Sequence, residues 1–210
     1  MATFEIRDSL KSYFSDIRIE KAVDALLEQL DGENQPEMEW EEARNYNQAL
    51  LMAAQVRADH NEMLFDLWDA TFGTVLSLPD RRFKIEFESH YCTPDCMWQH
   101  GFTWRTMSRH GLQSTLLTAA YELTVMHDDR MIMLSVAKWN AEKDGYQDFV
   151  FDPAQVGTGD RWKSVPDDEN DVIAKSTAVE LTEFFAKPEQ HISELQAAAR
   201  EMVDYLTTIV

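Results

Sequence analysis

The sequence contains few of the features that mark secreted or membrane proteins. Two cysteines among 210 residues, beside ten methionines, are too few for a fold held by disulfides and are typical of the reducing cytoplasm. No stretch approaches the roughly 18 consecutive apolar residues of a membrane-spanning helix. The first residues, MATFEIRDSLKSYF, do not combine a basic segment with an apolar one, so they predict no secretory signal. We therefore expect a cytoplasmic protein.

Basic residues are also scarce. Lys and Arg number 19 against 38 Asp and Glu, which gives a formal net charge of −19 at pH 7. A surface this negative repels nucleic-acid backbones and anionic membranes, so neither is expected as a direct ligand. The 11 Phe, 6 Trp and 6 Tyr indicate a packed core, because disordered acidic chains are poor in aromatic residues. This composition favours a folded protein that binds a basic protein, a cation or nothing at all.

Specific catalytic motifs are missing as well. The sequence has no G-x-G-x-x-G or G-x-x-x-x-G-K-[ST] phosphate-binding loop and no G-x-S-x-G nucleophile. Residues 157–160 (GTGD) fit an ordinary loop, and residues 127–129 (HDD) fit an Asp-rich turn between two strands. We predict no enzyme and no cofactor. An active site assembled from dispersed residues is the alternative.

One short segment has the residue types of a zinc site. His90, Cys92, Cys96 and His100 lie within eleven residues of sequence, and thiolates and imidazoles are ligands that zinc prefers. A helix over 94–100 would place Cys96 and His100 one turn apart on one face. The neighbouring methionine and tryptophan favour a buried apolar segment instead. We predict that these four residues bind no metal. A small zinc-stabilised domain is the alternative.

The hydrophobic periodicity changes twice along the chain. Residues 1–78 repeat apolar side chains at helical spacing, whereas residues 80–152 alternate apolar and polar side chains as half-buried strands do. Residues 153–210 begin as a loop and return to helical spacing. This order predicts one α+β domain over 1–210, with an antiparallel β-sheet (meander) flanked by N-terminal and C-terminal helices.

The helical segments can be placed more closely. The pattern predicts helices over 4–31, where Ser15 is the expected N-cap of a second segment, and over about 40–72. Near the C-terminus it predicts a helix over 172–186. A final helix is predicted over 188–207, with its proline in the first turn.

The negative charge is concentrated in the two helical flanks. Residues 1–80 carry a net charge of −11 and residues 141–210 a net charge of −9, whereas residues 81–140 carry +1. A charge distribution this uneven produces a directional field that can attract a basic partner. It points to the flanks, and not to the sheet, as the binding surface.

Carboxylates recur at every fourth residue within the first flank. They are Asp16, Glu20, Asp24 and Glu28, followed by Asp31, and are called here the acidic row. On a helix this spacing places neighbouring carboxylates about 6 Å apart on one face. Like charges at this spacing cost a helix about 0.2–0.5 kcal/mol per pair, so folding alone does not favour them. The acidic row is therefore predicted to face a partner.

A second acidic group surrounds an aromatic residue at the start of the next helix. It comprises Glu37, Glu39, Trp40, Glu41 and Glu42, and is called here the Trp40 cluster. Acids are favoured at a helix N-terminus, which explains part of the pattern. The tryptophan could supply the apolar anchor that charges alone do not provide. Both acidic groups are predicted to bind a basic, nucleic-acid-binding protein.

In charge and size the chain resembles the DNA-mimic antirestriction and anti-CRISPR proteins of phages and mobile elements. The resemblance implies an inhibitor whose carboxylates occupy the nucleic-acid-binding surface of a partner and block it. An immunity protein that covers the active site of a basic toxin would use the same electrostatic complementarity and is the alternative.

Overall fold

The computed structural model divides the chain into two compact units. Met1–Met63 form the N-terminal unit and Leu64–Val210 the C-terminal unit, with the boundary inside a long helix. That the chain folds as a single domain stays a prediction. The residues that the structure describes are 4–31, 37–76, 83–86, 102–109, 119–128, 130–140, 145–157, 160–166 and 171–209.

Three helices run through the described part of the N-terminal unit. α1 spans Asp8–Tyr13, α2 spans Ile17–Asp31, and α3 begins at Trp40 and ends at Trp68, beyond the boundary. These bounds confirm the helical character predicted for 4–31 and for about 40–72. The N-cap of the second segment was predicted at Ser15, which was wrong, because Asp16 caps α2. The Oδ1 atom of Asp16 accepts the backbone N–H of Arg18 at 2.8 Å.

Apolar side chains from all three helices form the core of the N-terminal unit. The ring centroid of Phe14, just after α1, lies 5.8 Å from that of His60 on α3. The hydroxyl of Tyr46 on α3 donates to Gln29 Oε1 on α2 at 2.6 Å. The buried apolar residues of this unit are Ile6, Leu10, Tyr13, Phe14, Leu27, Leu50, Ala53 and Met63.

A buried carboxylate joins the segment around α1 to α3. Asp59 on α3 is only 4% exposed, and its oxygens accept hydrogen bonds from three donors. They are the guanidinium of Arg7, the hydroxyl of Ser9 at 2.5 Å and the side-chain amide of Gln55 at 2.8 Å. Arg7 also contacts Glu62 on the next turn of α3. A charge buried this deeply stabilises the fold only while these donors remain in place.

Asp59 makes the stability of the N-terminal unit depend on pH. Burial raises the pKa of Asp59, but hydrogen bonds from Ser9, Gln55 and Arg7 outweigh burial and hold it below its ordinary value of 3.8. The stabilisation is therefore present above pH 3.8 and is lost as the pH falls through the lower, folded pKa.

We expect Asp59→Asn to lower the free energy of unfolding by about 1–3 kcal/mol at neutral pH, because the charge-assisted bonds to Asp59 are lost. The difference between variant and wild type should shrink on acidification below pH 3.8. Urea unfolding followed by far-UV circular dichroism at several pH values measures both. A difference that stays constant with pH would contradict a depressed pKa at Asp59.

In the C-terminal unit, the end of α3 is followed by a π-helical turn, Asp69–Gly73, and the short helix α4, Thr74–Leu76. A 3₁₀ turn, Pro153–Gln155, lies between the fifth and sixth of the eight strands among the described residues. The strands are β1 Phe83–Glu86, β2 Phe102–Arg109, β3 Ala119–Asp128, β4 Met131–Asn140, β5 Gly145–Gln147, β6 Trp162–Pro166, β7 Val172–Ser176 and β8 Val179–Glu180. Two helices follow, α5 Leu181–Ala186 and α6 Pro188–Ile209.

The strands form one antiparallel sheet. The order is β1-β2-β3-β4-β7-β6, and β5 and β8 also pair with β4. The first four strands follow one another as a meander, in agreement with the prediction. β3 and β4 pair over ten residues, from Ala119↔Asn140 to Asp128↔Met131. With helices before and after the sheet in sequence, the predicted α+β fold class is confirmed.

The sheet extends further along the chain than predicted. The helix predicted over 172–186 was wrong for its first half, because residues 172–176 form β7 and only 181–186 are helical. Ile173 and Ala174 are buried as adjacent residues on β7, so both faces of this strand are covered and no two-residue alternation marks it. The predicted loop before it contains β6. The final helix, by contrast, is confirmed and begins at Pro188.

Two tryptophans fix helices to the rest of the C-terminal unit. The Nε1–H of Trp68 donates to the carbonyl of Leu123 in β3 at 2.7 Å, and that of Trp162 in β6 donates to the carbonyl of Ala198 in α6 at 3.0 Å. Each of the two tryptophans is about 1% exposed, so these hydrogen bonds give the indole N–H groups partners inside the core. The buried face of α6 consists of Ile192, Leu195, Ala198, Ala199, Met202, Val203 and Leu206.

A glycine allows the loop before β6 to approach α6 closely. Gly157 has a φ of +70°, in the left-handed region. A Cβ atom there would lie 2.6 Å from Glu201 Oε2 and nearer still to the carbon atoms of that side chain. The other oxygen of Glu201 accepts a hydrogen bond from Arg161 at 2.6 Å, so the carboxylate is held in place. Both conformation and space therefore require glycine.

We expect Gly157→Ala to lower the free energy of unfolding by about 2–5 kcal/mol, the sum of a left-handed backbone and an overpacked contact. The same change in a Glu201→Ala background should cost only about 1–2 kcal/mol, because the clash is removed and the backbone penalty remains. A double-mutant cycle in urea measures the difference. Equal costs in the two backgrounds would contradict the close approach.

Candidate partner-binding surface

Most of the acidic row lies at the edge of the packed face of α2 and not on its solvent face. At about 100° of rotation per residue, the buried Leu27 falls between Asp16 and Glu20 when viewed along the helix. Asp16, Glu20 and Asp24 are accordingly only partly exposed, whereas Glu28 is exposed. The side chain of Asp31 lies outside the described part of the chain. Within the acidic row, Glu28 has the most open side chain that the structure describes.

Two members of the acidic row have structural roles. Asp16 caps α2 and forms an ion pair with Arg18, and hydrogen bonds from the side chain and backbone of Arg18 lower the pKa of Asp16. Asp24 accepts a hydrogen bond from the hydroxyl of Tyr13 at 2.6 Å, which joins α2 to α1. Folding therefore does favour acids at these two positions, which the spacing alone did not reveal.

The Trp40 cluster is open to solvent. All four of its glutamates are exposed, and Trp40 is 81% exposed, the highest value among the large apolar side chains of the described residues. One carboxylate also supports the helix, because Glu42 Oε2 accepts the backbone N–H of Glu39 at 3.2 Å, as in a capping box. Capping explains Glu42 and the helix dipole favours acids nearby. Neither capping nor the helix dipole explains why the Trp40 side chain is exposed to solvent.

Two further apolar side chains of α3 are exposed, and sequence reasoning missed them. Leu51 is 72% exposed and Met52 is 66% exposed, whereas the adjacent Leu50 is buried at 6%. Three consecutive apolar residues cannot all face the core from one helix. This run of three apolar residues could have revealed the exposed side chains from the sequence, because at least one of the three had to point outward.

Two groups of the C-terminal unit whose pKa values are shifted also have structural causes. Burial raises the pKa of Tyr121, which lies in β3 beside the ring of Phe149, to about 12. Glu180 caps α5, and the hydrogen bond from the Thr182 hydroxyl, followed by backbone hydrogen bonds from Glu183 and Thr182, holds the pKa of Glu180 below its ordinary value. Both shifts arise from packing and helix capping.

The four residues of zinc-ligand type, His90, Cys92, Cys96 and His100, lie outside the described residues. That they bind no metal therefore stays a prediction. Among the residues that the structure does describe, no group of three or more His, Cys, Asp or Glu side chains could hold a metal ion. His127 and Asp128 are the last residues of β3 and pair with Ile132 and Met131 of β4. The turn predicted for residues 127–129 was therefore wrong for these two residues, and Asp129 lies outside the described part of the chain. Arg130, just before β4, has a φ of 62°.

Within the described ranges, no helix combines the length and apolar character needed to cross a bilayer. Comparisons of the chain with protein-family models, with curated proteins and with solved structures find no match. The case for a function therefore depends on the residues of this chain alone.

We expect mutations in the acidic row to differ in their effect on stability, according to whether the carboxylate supports the fold. Asp16→Ala should lower the urea midpoint, because α2 loses its cap and the partner of Arg18. Glu28→Gln should leave the midpoint unchanged, since Gln and Glu have similar helix propensities and this side chain is exposed. Equal effects of the two changes would contradict the division.

Proposed function

We propose that the protein is an acidic cytoplasmic inhibitor that binds a basic, nucleic-acid-binding protein and blocks its nucleic-acid site, as DNA mimics of phages and mobile elements do. The observation that carries the proposal is the Trp40 cluster, in which an aromatic side chain that is 81% exposed stands among four exposed glutamates. Formation of α3 does not require an exposed tryptophan among four glutamates. It has the composition of an interface anchor with an acidic rim.

The charge of the N-terminal unit supports this choice of partner. Residues 1–63 contain 14 Asp and Glu against 6 Lys and Arg. Two of the bases, Arg7 and Arg18, are paired with Asp59 and Asp16, so they do not offset the field of the exposed glutamates. An uncompensated acidic surface accelerates encounter with a basic partner and repels nucleic acid.

The mechanism follows from the electrostatics of nucleic-acid binding. A protein that binds DNA gains affinity because cations leave the DNA as Lys and Arg neutralise the phosphates. Carboxylates arranged on a protein surface offer the same partner a similar set of negative charges. Association is then fast and sensitive to salt, and nucleic acid bound at the same surface competes with it.

The test uses the partner that the wild-type chain retains from host extract at low salt. Glu37, Glu39 and Glu41 become Gln in the test variant, and Glu42 is kept because it caps α3. The dissociation constant should rise by about tenfold or more, mainly through slower association, and its salt dependence should flatten. Duplex DNA should displace the wild-type chain from the partner. Surface plasmon resonance at several salt concentrations measures all three effects.

A matched control removes the same number of charges elsewhere. Asp160→Asn with Glu183→Gln and Glu189→Gln neutralises three exposed acids of the C-terminal unit, and should leave affinity within about twofold, because none of them belongs to the Trp40 cluster and solvent-exposed charges are screened by salt. If both variants weaken binding equally, the chain acts through net charge alone. If neither does, or if DNA does not compete, the proposed function is wrong.

A further inference from the structure

Helix α3 presents an apolar stripe to solvent, beginning at the Trp40 cluster. Trp40, Leu51 and Met52 are 81%, 72% and 66% exposed. Trp40 and Leu51 are eleven residues apart, which on an α-helix amounts to about three turns, so their side chains point within about 20° of each other and about 16 Å apart along the axis. Met52 points about 100° away from Leu51 around the helix, so it widens the exposed apolar face at its far end. The three large apolar side chains thus lie within an arc of about 120° on the solvent side of α3, which is more than single exposed apolar residues provide.

The residues between the two ends of the stripe are polar but nearly uncharged. Arg44, Asn47 and Gln48 are exposed on the same side of α3. Of these only Arg44 is charged, against the four glutamates of the Trp40 cluster. The face is thus apolar at both ends, polar with one arginine between them, and acidic at its N-terminal end.

Charge decides which kind of molecule fits this face. A second copy of the chain would bring another Trp40 cluster, and another net charge of −19, towards the first, and like charges oppose that contact. An extended polar strand would leave the apolar side chains uncovered. A helix with one apolar face flanked by Lys and Arg would cover Trp40, Leu51 and Met52 and place its cations beside the glutamates.

We propose that the stripe of Trp40, Leu51 and Met52 on α3 is the docking surface for a basic amphipathic helix of the partner protein. The proposal rests on the proposed function, because the partner is the same, and it adds the secondary structure of the bound segment. About 18 Å separate the first and last residues of the stripe along the axis, so the bound helix needs three to four turns.

The test uses two synthetic peptides made of Leu and Lys, each about four helical turns long. In one, the leucines lie on a single helix face. In the other, of the same composition, they are distributed around the helix. Fluorescence anisotropy of the labelled peptides gives the dissociation constants. The wild-type chain should bind the amphipathic peptide at least about tenfold more tightly than the distributed one.

The diagnostic variant is Leu51→Gln with Met52→Gln, which should abolish that preference and leave the weaker, charge-driven binding of both peptides. Both positions are exposed and glutamine is a good helix former, so α3 should remain folded. Val150→Gln is the matched control, because Val150 is 71% exposed in the other unit. It should keep the preference of the wild-type chain.

The possible results separate the two proposals. If the chain binds both peptides equally, or if Leu51→Gln with Met52→Gln keeps the preference, the docking surface is overturned. The proposed function would survive that result if the three-glutamate variant weakened both peptides, and would fail if it weakened neither. A wild-type dimer in sedimentation equilibrium that becomes a monomer in the Leu51→Gln, Met52→Gln variant would also overturn the proposal, since the occupant would be a second copy.

Discussion

The sheet of the C-terminal unit depends on the two edges of one strand, β4. One edge pairs with β3 over ten residues, and the other is divided among β5, β7 and β8. Three of its side chains, Ile132, Leu134 and Val136, are fully buried. Where β7 stops pairing, the hydroxyl of Ser176 accepts the N–H of Leu134 at 2.9 Å, so a side chain replaces a missing strand partner. Segments distant in sequence meet at this one strand.

That arrangement explains which parts of the fold could be read from the sequence. β3, β4 and α6 have clear periodicity, and their type was predicted because local pattern and final environment agree. Residues 172–176 were misassigned because their strand conformation depends on the free edge of β4, a long-range contact that no local pattern reports. Ser15 was the predicted cap of α2, and only the hydrogen-bond geometry shows that Asp16 takes this position.

The sequence identified the residue types of the candidate site, but it could not predict which of these side chains are exposed to solvent. Sequence spacing placed Glu20, Asp24 and Glu28 along one side of α2, yet could not tell that Leu27 shares that side and that Tyr13 bonds to Asp24. The Trp40 cluster was identified from its residue types, and the structure adds that the tryptophan is open to water. Exposure depends on which side of α3 the core occupies, and tertiary packing decides that. The start of α3, and not α2, is therefore the stronger candidate for a partner-binding surface.

The hydrogen bonds of Asp59 bear on how the chain can be shortened. Residues ahead of a first helix are often trimmed to aid crystallisation or to carry a tag. Here a cut after Ser9 would remove two of the three donors to Asp59 and leave Gln55 alone to satisfy a carboxylate that is 4% exposed. A shortened chain would retain every residue of α2 and α3 and still lose the support that lets α3 bury a charge. For practical purposes, the intact folding unit of the N-terminal helices includes Arg7 and Ser9.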